Sequence, residues 1–123
     1  MPVSPQDFKI FAENIDRTSE IGVRNAISRL YYSIYLEIDA IFPSLVRFES
    51  TGAHESFIES LRNPSLNDPH GTIKRRLAAV LDQAKVLRVI ADYKINESLS
   101  SFQYDVMHRS IDKILPEVRA AAK

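Results

Sequence analysis

Apolar side chains recur at helical spacing along most of the chain, whereas strand-like alternation of apolar and polar residues is nowhere sustained. The strongest pattern is a broad apolar stripe with steps of three, one and four residues, which is typical of an amphipathic helix. Its members are Val23, Ala26, Ile27, Leu30, Tyr31, Ile34, Ile38 and Ile41. Pro43 is expected to end this helix, because proline has no backbone N–H to continue the hydrogen-bonding pattern. The helix should therefore have roughly 20 residues and a length of about 30 Å.

Two shorter helices are predicted on either side of this long one. Ser4 can cap the first, with Pro5 at its first position and Asp7 near the positive end of the helix dipole. Its apolar side chains, at helical spacing, are Phe8, Phe11, Ala12 and Ile15. The other short helix lies around residues 54–62, and the side chains expected to be buried there are Phe57, Ile58 and Leu61. Turn-forming residues fill 63–71, which is expected to be a loop.

Two long helices complete the predicted fold. Thr72 is the expected cap of the fourth helix, whose inward side chains are Ile73, Leu77, Val80, Leu81, Ala84 and Leu87. Ser100 and Gln103 form a capping-box pattern at the start of the fifth. Its stripe continues through Phe102, Val106, Met107, Ile111, Ile114 and Val118. Pro116 is expected to kink or end this helix.

These elements predict an all-α protein, an up-and-down helical bundle of four to five helices. No internal repeat or low-complexity tract divides the chain. With 123 residues the chain can bury a hydrophobic core of ordinary size. Residues 1–123 are therefore expected to form a single domain.

The overall composition excludes several classes of function. Lysine and arginine number 16, as do aspartate and glutamate, so RNA binding would have to depend on a local patch and not on net charge. Cysteine is absent, which excludes disulfides, thiolate zinc sites and cysteine nucleophiles. Neither a signal peptide nor the roughly 18 consecutive apolar residues of a membrane span is visible. We therefore expect a cytoplasmic protein without membrane contact.

Chemistry-bearing side chains cluster near the end of the fourth helix, in the stretch 87–93, Leu-Arg-Val-Ile-Ala-Asp-Tyr. On a helix, Lys85, Arg88 and Asp92 share one face. By spacing alone, Arg88 and Asp92 form an ordinary ion pair that stabilises a helix by a few tenths of a kcal/mol. A second motif lies upstream, the aromatic-rich stretch 28–35, Ser-Arg-Leu-Tyr-Tyr-Ser-Ile-Tyr.

Together, these two motifs resemble those of the small helical HEPN proteins, and the resemblance extends from about Asn25 to Leu115. It implies a HEPN-like homodimer that binds RNA or acts as a metal-independent endoribonuclease, without a cofactor, in a prokaryotic toxin–antitoxin or phage-defence system. The family's ribonuclease motif is an arginine followed, four to six residues later, by a histidine, and two copies of the motif meet across a two-fold interface. The resemblance also implies a protein partner, such as a nucleotidyltransferase antitoxin.

The resemblance assigns the catalytic positions to Arg88, Asp92 and Tyr93. Arginine can hold a phosphate bidentately and stabilise added negative charge, while histidine can transfer the proton of a 2′-hydroxyl near neutral pH. In this chain Tyr93 stands at the spacing of the histidine, and a phenol with an ordinary pKa of about 10 is a poor general base at neutral pH. The alternative function is therefore a catalytically inactive dimeric module that regulates or scaffolds a partner protein.

The histidines supply two further candidates. Arg47 and His54 match the arginine–histidine spacing, but they span a predicted loop and not a helix end. His54 is thus a weaker catalytic candidate, and otherwise an ordinary residue in the first turn of the short helix. His108 stands between Asp105 and Asp112 on one helical face. We expect it to be an ion-paired surface histidine, with no metal site.

Basic and aromatic side chains supply the remaining candidates. The basic residues of the fourth helix form a local phosphate-binding surface beside Arg88 or, alternatively, a solvated helix face. They are Lys74, Arg75, Arg76 and Lys85. Tyr31 belongs to the core stripe, whereas Tyr32 and Tyr35 are candidates for a subunit interface, where tyrosine combines apolar area with a hydroxyl. Packing within the subunit is the alternative for both.

Overall fold

The computed structural model describes residues 2–42 and 53–121, apart from the side chains of residues 53 and 54. This part of the chain contains five α-helices and no β-strand. The helices are α1 Pro5–Glu13, α2 Glu20–Ile41, α3 Ala53–Arg62, α4 Gly71–Tyr93 and α5 Ser101–Ala121. The all-helical fold predicted from the sequence is confirmed, together with the order of its helices. Pro43, the predicted end of α2, lies outside the described residues.

Ser4 begins α1 as predicted. Its hydroxyl accepts a hydrogen bond from the backbone N–H of Asp7 at 3.3 Å, and the carboxylate of Asp7 accepts one from the backbone N–H of Ser4 at 2.8 Å. This reciprocal pair satisfies two N–H groups that a helix start otherwise leaves without a partner. Ser19 caps α2 in a similar way, since its hydroxyl accepts a hydrogen bond from the N–H of Gly22 at 3.2 Å.

The start of α4 differs from the prediction, which placed the cap at Thr72. The helix begins at Gly71, and the cap position belongs to His70, whose side chain makes no capping hydrogen bond. Asp68 organises this turn instead. Its carboxylate accepts hydrogen bonds from the backbone N–H of His70 at 2.8 Å and from the ammonium group of Lys74 at 2.5 Å. An acidic side chain close to a helix start also offsets the positive end of the dipole, so the first turn is stabilised without a hydroxyl cap.

The first turn of α5 matches its predicted pattern only in part. The side-chain oxygen of Gln103 accepts a hydrogen bond from the backbone N–H of Ser100 at 2.8 Å, but the hydroxyl of Ser100 donates to the same oxygen and does not cap the backbone. Phe102 and Val106 are 67% and 40% exposed, so burial of the stripe begins with the residues after them. Pro116 lies inside the helix and does not end it.

α2 is the central helix of the bundle. It packs against α1, α4 and α5, while α3 packs against α4. The stripe predicted from the sequence forms its buried face, with Ile41 only partly buried. Burial of each large apolar side chain contributes about 1.5–3 kcal/mol relative to exposure, so this stripe fixes α2 in the middle of the bundle. The two sequence motifs, one on α2 and one on α4, therefore lie on helices in direct contact.

Candidate functional site

Arg88 and Asp92 form an ion pair in the last turns of α4. Nε of Arg88 lies 2.9 Å from Oδ2 of Asp92, and the side chain of Arg88 is only 14% exposed. The N–H of this nitrogen is buried and does not point at an acceptor among the described residues. The shared helical face predicted for the two residues is confirmed, and their contact is an electrostatic pairing rather than an aligned hydrogen bond.

The guanidinium group of Arg88 lies close to two tyrosine rings. It is 6.0 Å from the ring centroid of Tyr31 and 5.4 Å from that of Tyr93. A cation over an aromatic face is attracted by the ring quadrupole. Tyr31 is fully buried, whereas Tyr93 is 69% exposed, so one ring belongs to the core and the other faces solvent. Burial raises the pKa of the Tyr31 phenol far above its usual range, which keeps this side chain neutral beside the cation.

Ser28 holds Asp92 from the neighbouring helix. Its hydroxyl donates a hydrogen bond to Oδ2 of Asp92 at 3.2 Å, across the contact between α2 and α4. Ser28 and Tyr31 both belong to the first sequence motif, while Arg88, Asp92 and Tyr93 belong to the second. The structure therefore brings the two motifs together in one cluster. Ser28 could not be assigned a role from the sequence, because its partner Asp92 is 64 residues away.

Arg24 fixes the end of α4 from the same side of α2. The residue is 7% exposed, and its guanidinium donates hydrogen bonds to backbone carbonyls at the end of α4 and in the segment after it. The acceptors are the carbonyl oxygens of Ile90 at 2.8 Å, Ala91 at 3.2 Å, Lys94 at 3.4 Å, and Glu97. The last carbonyls of a helix lack partners within the helix, and a cation there complements the dipole. Arg24 thus caps α4 one turn beyond Arg88, a role that the sequence analysis missed.

The basic residues proposed as a phosphate-binding surface are mostly paired with carboxylates. Lys74 contacts Asp68 at 2.5 Å, Arg76 contacts Glu117 at 2.6 Å and Lys85 contacts Glu55 at 2.5 Å. The hydrogen bond from Lys85 holds the pKa of Glu55 below its usual value, so this acid stays charged. Arg75 is exposed and forms no ion pair with the described residues. A phosphate that bound this face would have to compete with three carboxylates.

Both tyrosines predicted at an interface are partly exposed. The ring of Tyr35 lies 4.6 Å from that of Phe57 in α3 and 6.3 Å from that of Tyr31, so Tyr35 makes aromatic contacts within the subunit. The interface role of both tyrosines stays a prediction.

Arg47 lies outside the described residues, and His54 is known only as a backbone position at the start of α3. The predicted pairing of this arginine with this histidine therefore stays a prediction. His70 is described, and its ring lies 5.8 Å from that of Phe42, at the start of α4 and away from its end.

His108 contacts two carboxylates and joins α5 to α1. Nε2 lies 2.7 Å from Glu13 and Nδ1 lies 3.4 Å from Asp112, whereas no contact with Asp105 is formed in the described part of the chain. Donor atoms of Glu13, His108 and Asp112 all lie within 4.8 Å of one another. The ammonium group of Lys9 already contacts Glu13 at 3.0 Å and Asp112 at 2.8 Å. A metal ion at this position would have to displace Lys9.

Comparisons with protein-family models, with curated proteins and with solved structures gave no match to this sequence. Among the helices in the described ranges, none has the length and apolar character needed to cross a membrane.

Proposed function

We propose that this protein is a HEPN-like RNA-binding protein that acts as a metal-independent endoribonuclease in a toxin–antitoxin or phage-defence system, with Arg88 as the residue that holds the RNA phosphate. The observation that carries the proposal is the setting of Arg88. Its guanidinium lies 6.0 Å and 5.4 Å from two tyrosine ring centroids and pairs with one carboxylate, and its buried Nε–H donates no hydrogen bond to the described residues.

The geometry of this cluster supports phosphate binding. A guanidinium presents its N–H groups in a planar fork that matches two phosphate oxygens. Asp92 and the tyrosine rings restrict the orientation of Arg88, so little further ordering is needed when a phosphate arrives. Asp92 also offsets the positive charge of Arg88, which makes a single cluster a modest anion site. A second cluster, supplied by another copy of the chain in the proposed homodimer, would bring a second arginine to the same phosphate.

The exposed ring of Tyr93 supports a preference for single-stranded RNA. Proteins commonly bind unpaired bases by stacking them on aromatic side chains next to cations that contact the backbone. Tyr93 is 69% exposed and lies beside the Arg88 guanidinium. A base stacked on this ring would bring its phosphate to Arg88. In cleavage, Arg88 would stabilise the charge that develops on the phosphate, and the hydroxyl of Tyr93 would donate a proton to the leaving oxygen.

A specific observation favours a second candidate function, a catalytically inactive module that binds a partner protein such as a nucleotidyltransferase antitoxin. The histidines whose side chains are described lie elsewhere, His70 against Phe42 and His108 against Glu13. No described imidazole is therefore available beside Arg88 for proton transfer. This candidate retains the cluster as a binding surface and omits the cleavage step.

Parallel assays with single-stranded RNA distinguish these functions. Wild type, Arg88→Ala and Arg109→Ala are compared for RNA binding by fluorescence anisotropy and for cleavage in the presence of EDTA. Arg109 is an exposed arginine of α5 and serves as the matched control. The endoribonuclease predicts EDTA-resistant cleavage that falls about 10²-fold in Arg88→Ala and is retained in Arg109→Ala. The inactive module predicts no cleavage by the wild type, with Arg88→Ala affecting only the binding of RNA or of the partner protein. Equal RNA binding by all three proteins contradicts the role of Arg88.

A further inference from the structure

An open apolar groove runs between α1 and the outer face of α2, away from the Arg88 cluster. Its volume is about 740 Å³. The apolar walls come from α1 and the residues next to it, and they are formed by Val3, Phe8, Phe11 and Ile15. Phe11 and Val3 are 62% and 68% exposed. A contiguous apolar surface with polar residues at its edge is usually a binding surface, whereas single exposed apolar residues are common.

Three polar side chains line the same groove, and two of them are held by their own helices. The carboxylate of Asp7 accepts a hydrogen bond from the backbone N–H of Ser4 in the capping box of α1. The side-chain amide of Asn25 donates to the carbonyl of Ile21 at 2.9 Å. Arg29, from the middle of α2, is exposed and forms no hydrogen bond or ion pair with the described residues. Arg29 is therefore the side chain of this groove that an occupant can pair with.

The shape of the groove limits what can occupy it. The backbone groups in the middle of α1 and α2 bond within their own helices, so an added strand would find no main-chain partners. A small apolar acid would remain largely in water, because small-molecule sites bury most of the ligand and Phe11 is more than half exposed. A nucleic acid needs several cations, and Arg29 is the one cation among the described residues that line this groove.

An amphipathic helix fits a groove between two helices. Its apolar side chains recur every three or four residues and can interdigitate with those of α1. The wall from Phe8 to Ile15 extends for about two helical turns, or about 10 Å. A helix that covers this wall therefore needs apolar side chains at positions i, i+4 and i+7, and an acidic side chain on the flank that faces Arg29.

We infer that the α1–α2 groove binds an amphipathic helix of a partner protein, with the apolar side chains of that helix packed around Phe11 and one of its carboxylates paired with Arg29. The inference goes beyond the proposed function, because it concerns a different surface of the molecule. It depends neither on RNA binding by Arg88 nor on a homodimer in which two Arg88 clusters meet, and it leaves that cluster free.

Selection from a peptide library on the full chain tests this inference. The probe is a display library of helix-forming peptides of about 15 residues, or about four turns. We expect wild type to enrich peptides with the apolar spacing given above and an acidic residue beside it. An enriched peptide should bind Phe11→Glu at least about 30-fold more weakly than wild type, because an aromatic anchor at the centre of the contact is lost. It should bind Arg29→Glu about 10-fold more weakly, and Arg109→Glu, a charge reversal on an exposed face of α5, as it binds wild type.

A charge-swapped peptide separates the ion pair from a general loss of structure. Replacement of the acidic residue of the enriched peptide by lysine should weaken its binding to wild type and restore binding to Arg29→Glu. Both variants are expected to fold, since Phe11 and Arg29 are exposed, and circular dichroism checks this. If Phe11→Glu does not fold, Phe11→Ala takes its place, and the charge swap at Arg29 decides the matter independently.

Three results would overturn the inference. The first is a selection without enriched peptides, or with peptides that bind Phe11→Glu and Arg29→Glu as tightly as wild type. The second is binding of wild type, but not of Phe11→Glu, to vesicles of phosphatidylcholine and phosphatidylglycerol, which would assign the groove to a lipid surface. The third is a wild-type dimer that Phe11→Glu dissociates in light scattering, which would place a second copy of the chain in the groove. RNA binding by Arg88 is judged from its own assay in each case.

Discussion

Ser28 on α2 and Asp92 on α4 are joined by a hydrogen bond, in which the serine hydroxyl donates to Oδ2 of the carboxylate at 3.2 Å. The same oxygen lies 2.9 Å from Nε of Arg88. One carboxylate oxygen therefore links the aromatic-rich motif of α2 to the arginine of α4. This relationship gives the two motifs a physical reason to occur together in one chain, because each supplies part of a single cluster.

Replacement of Ser28 by alanine should remove this hydrogen bond and leave the packing around residue 28 almost unchanged. Ser28 is 8% exposed, and loss of its partly buried hydrogen bond should lower the free energy of unfolding by about 1 kcal/mol. Asp92 would also lose its restraint from α2, so RNA binding at Arg88 should weaken by a few-fold under the proposed function. Urea unfolding and RNA binding measure the two effects, with the exposed Ser98→Ala as control. Unchanged stability would mean that the hydrogen bond contributes nothing net.

Arg24 should be one of the most sensitive polar positions in the chain. Arg24→Ala would leave the carbonyls of Ala91 and Glu97 without their donor and would remove the second donor from the carbonyls of Ile90 and Lys94, which also accept from the backbone. Because a buried cation and its hydrogen bonds are lost together, we expect the free energy of unfolding to fall by about 2–4 kcal/mol. Arg24→Lys keeps the charge but replaces the planar fork by a single ammonium group, so it should recover less than half of this loss.

Chemical denaturation of both variants measures the effect of Arg24. The exposed Arg109→Ala should change stability by no more than about 0.5 kcal/mol. If Arg24→Lys is as stable as wild type, the charge at the end of α4 matters and the shape of the guanidinium does not.

The two glycines whose surroundings are described should respond to alanine in opposite ways. A Cβ at Gly22 would collide with the backbone carbonyl oxygen of Asp16, which crosses the first turn of α2, so the loop would have to move. We expect Gly22→Ala to lower the free energy of unfolding by about 1–3 kcal/mol. A Cβ at Gly71 would meet Pro64 at an ordinary contact distance of 3.6 Å. Because alanine favours a helix over glycine, Gly71→Ala should be neutral or stabilising, and thermal melts of both variants provide the comparison.

Asp68 should make the free energy of unfolding depend on pH in the acidic range. The hydrogen bond from Lys74, followed by that from the backbone N–H of His70, lowers the pKa of Asp68 below its ordinary value of 3.8. A carboxylate whose pKa is lower in the folded than in the unfolded state stabilises the fold above the unfolded pKa. This contribution is lost as pH falls through the folded pKa.

The melting temperature of wild type should therefore fall more between about pH 5 and about pH 2 than that of Asp68→Asn. Asp105→Asn, which changes an exposed acid of α5, provides the control. If the melting temperatures of wild type and Asp68→Asn change in parallel with pH, the pairing with Lys74 contributes nothing to the stability of the fold.

The helices could be predicted from the sequence because their signals are local. The stripe from Val23 to Ile41 repeats at helical spacing, and Ser4, Pro5 and Asp7 lie next to one another in the cap that they form. Thr72 was the wrong cap because Asp68 competes for the same turn and already pairs with Lys74, six residues further on. At this helix start, the acidic residue that bonds the first turn indicates the start of α4 better than the hydroxyl residue does.

The partners of the site residues could not be predicted in this way, because they are distant in the sequence. Arg24 and the carbonyl of Glu97 are 73 residues apart, and His108 and Glu13 are 95 residues apart. Arg88 and Asp92, which are four residues apart, were correctly placed on one face, while the contribution of Ser28 depended on how α2 and α4 pack. Side-chain spacing on one helix is fixed by its geometry, whereas contacts between helices depend on the whole core.

Tyr93 gives the last test of the proposed function, because its ring and its hydroxyl can be removed separately. The side chain is 69% exposed, so Tyr93→Ala should leave stability almost unchanged. If a base stacks on this ring, Tyr93→Ala should weaken single-stranded RNA binding by roughly 5- to 100-fold, and Tyr93→Phe should bind within about two-fold of wild type. A cleavage rate that falls in Tyr93→Phe without loss of binding would assign the hydroxyl to the reaction. Phe102→Ala removes an aromatic ring of similar exposure, 67%, from α5 and should bind as wild type does. Equal RNA affinities for wild type and Tyr93→Ala would contradict base stacking at this position.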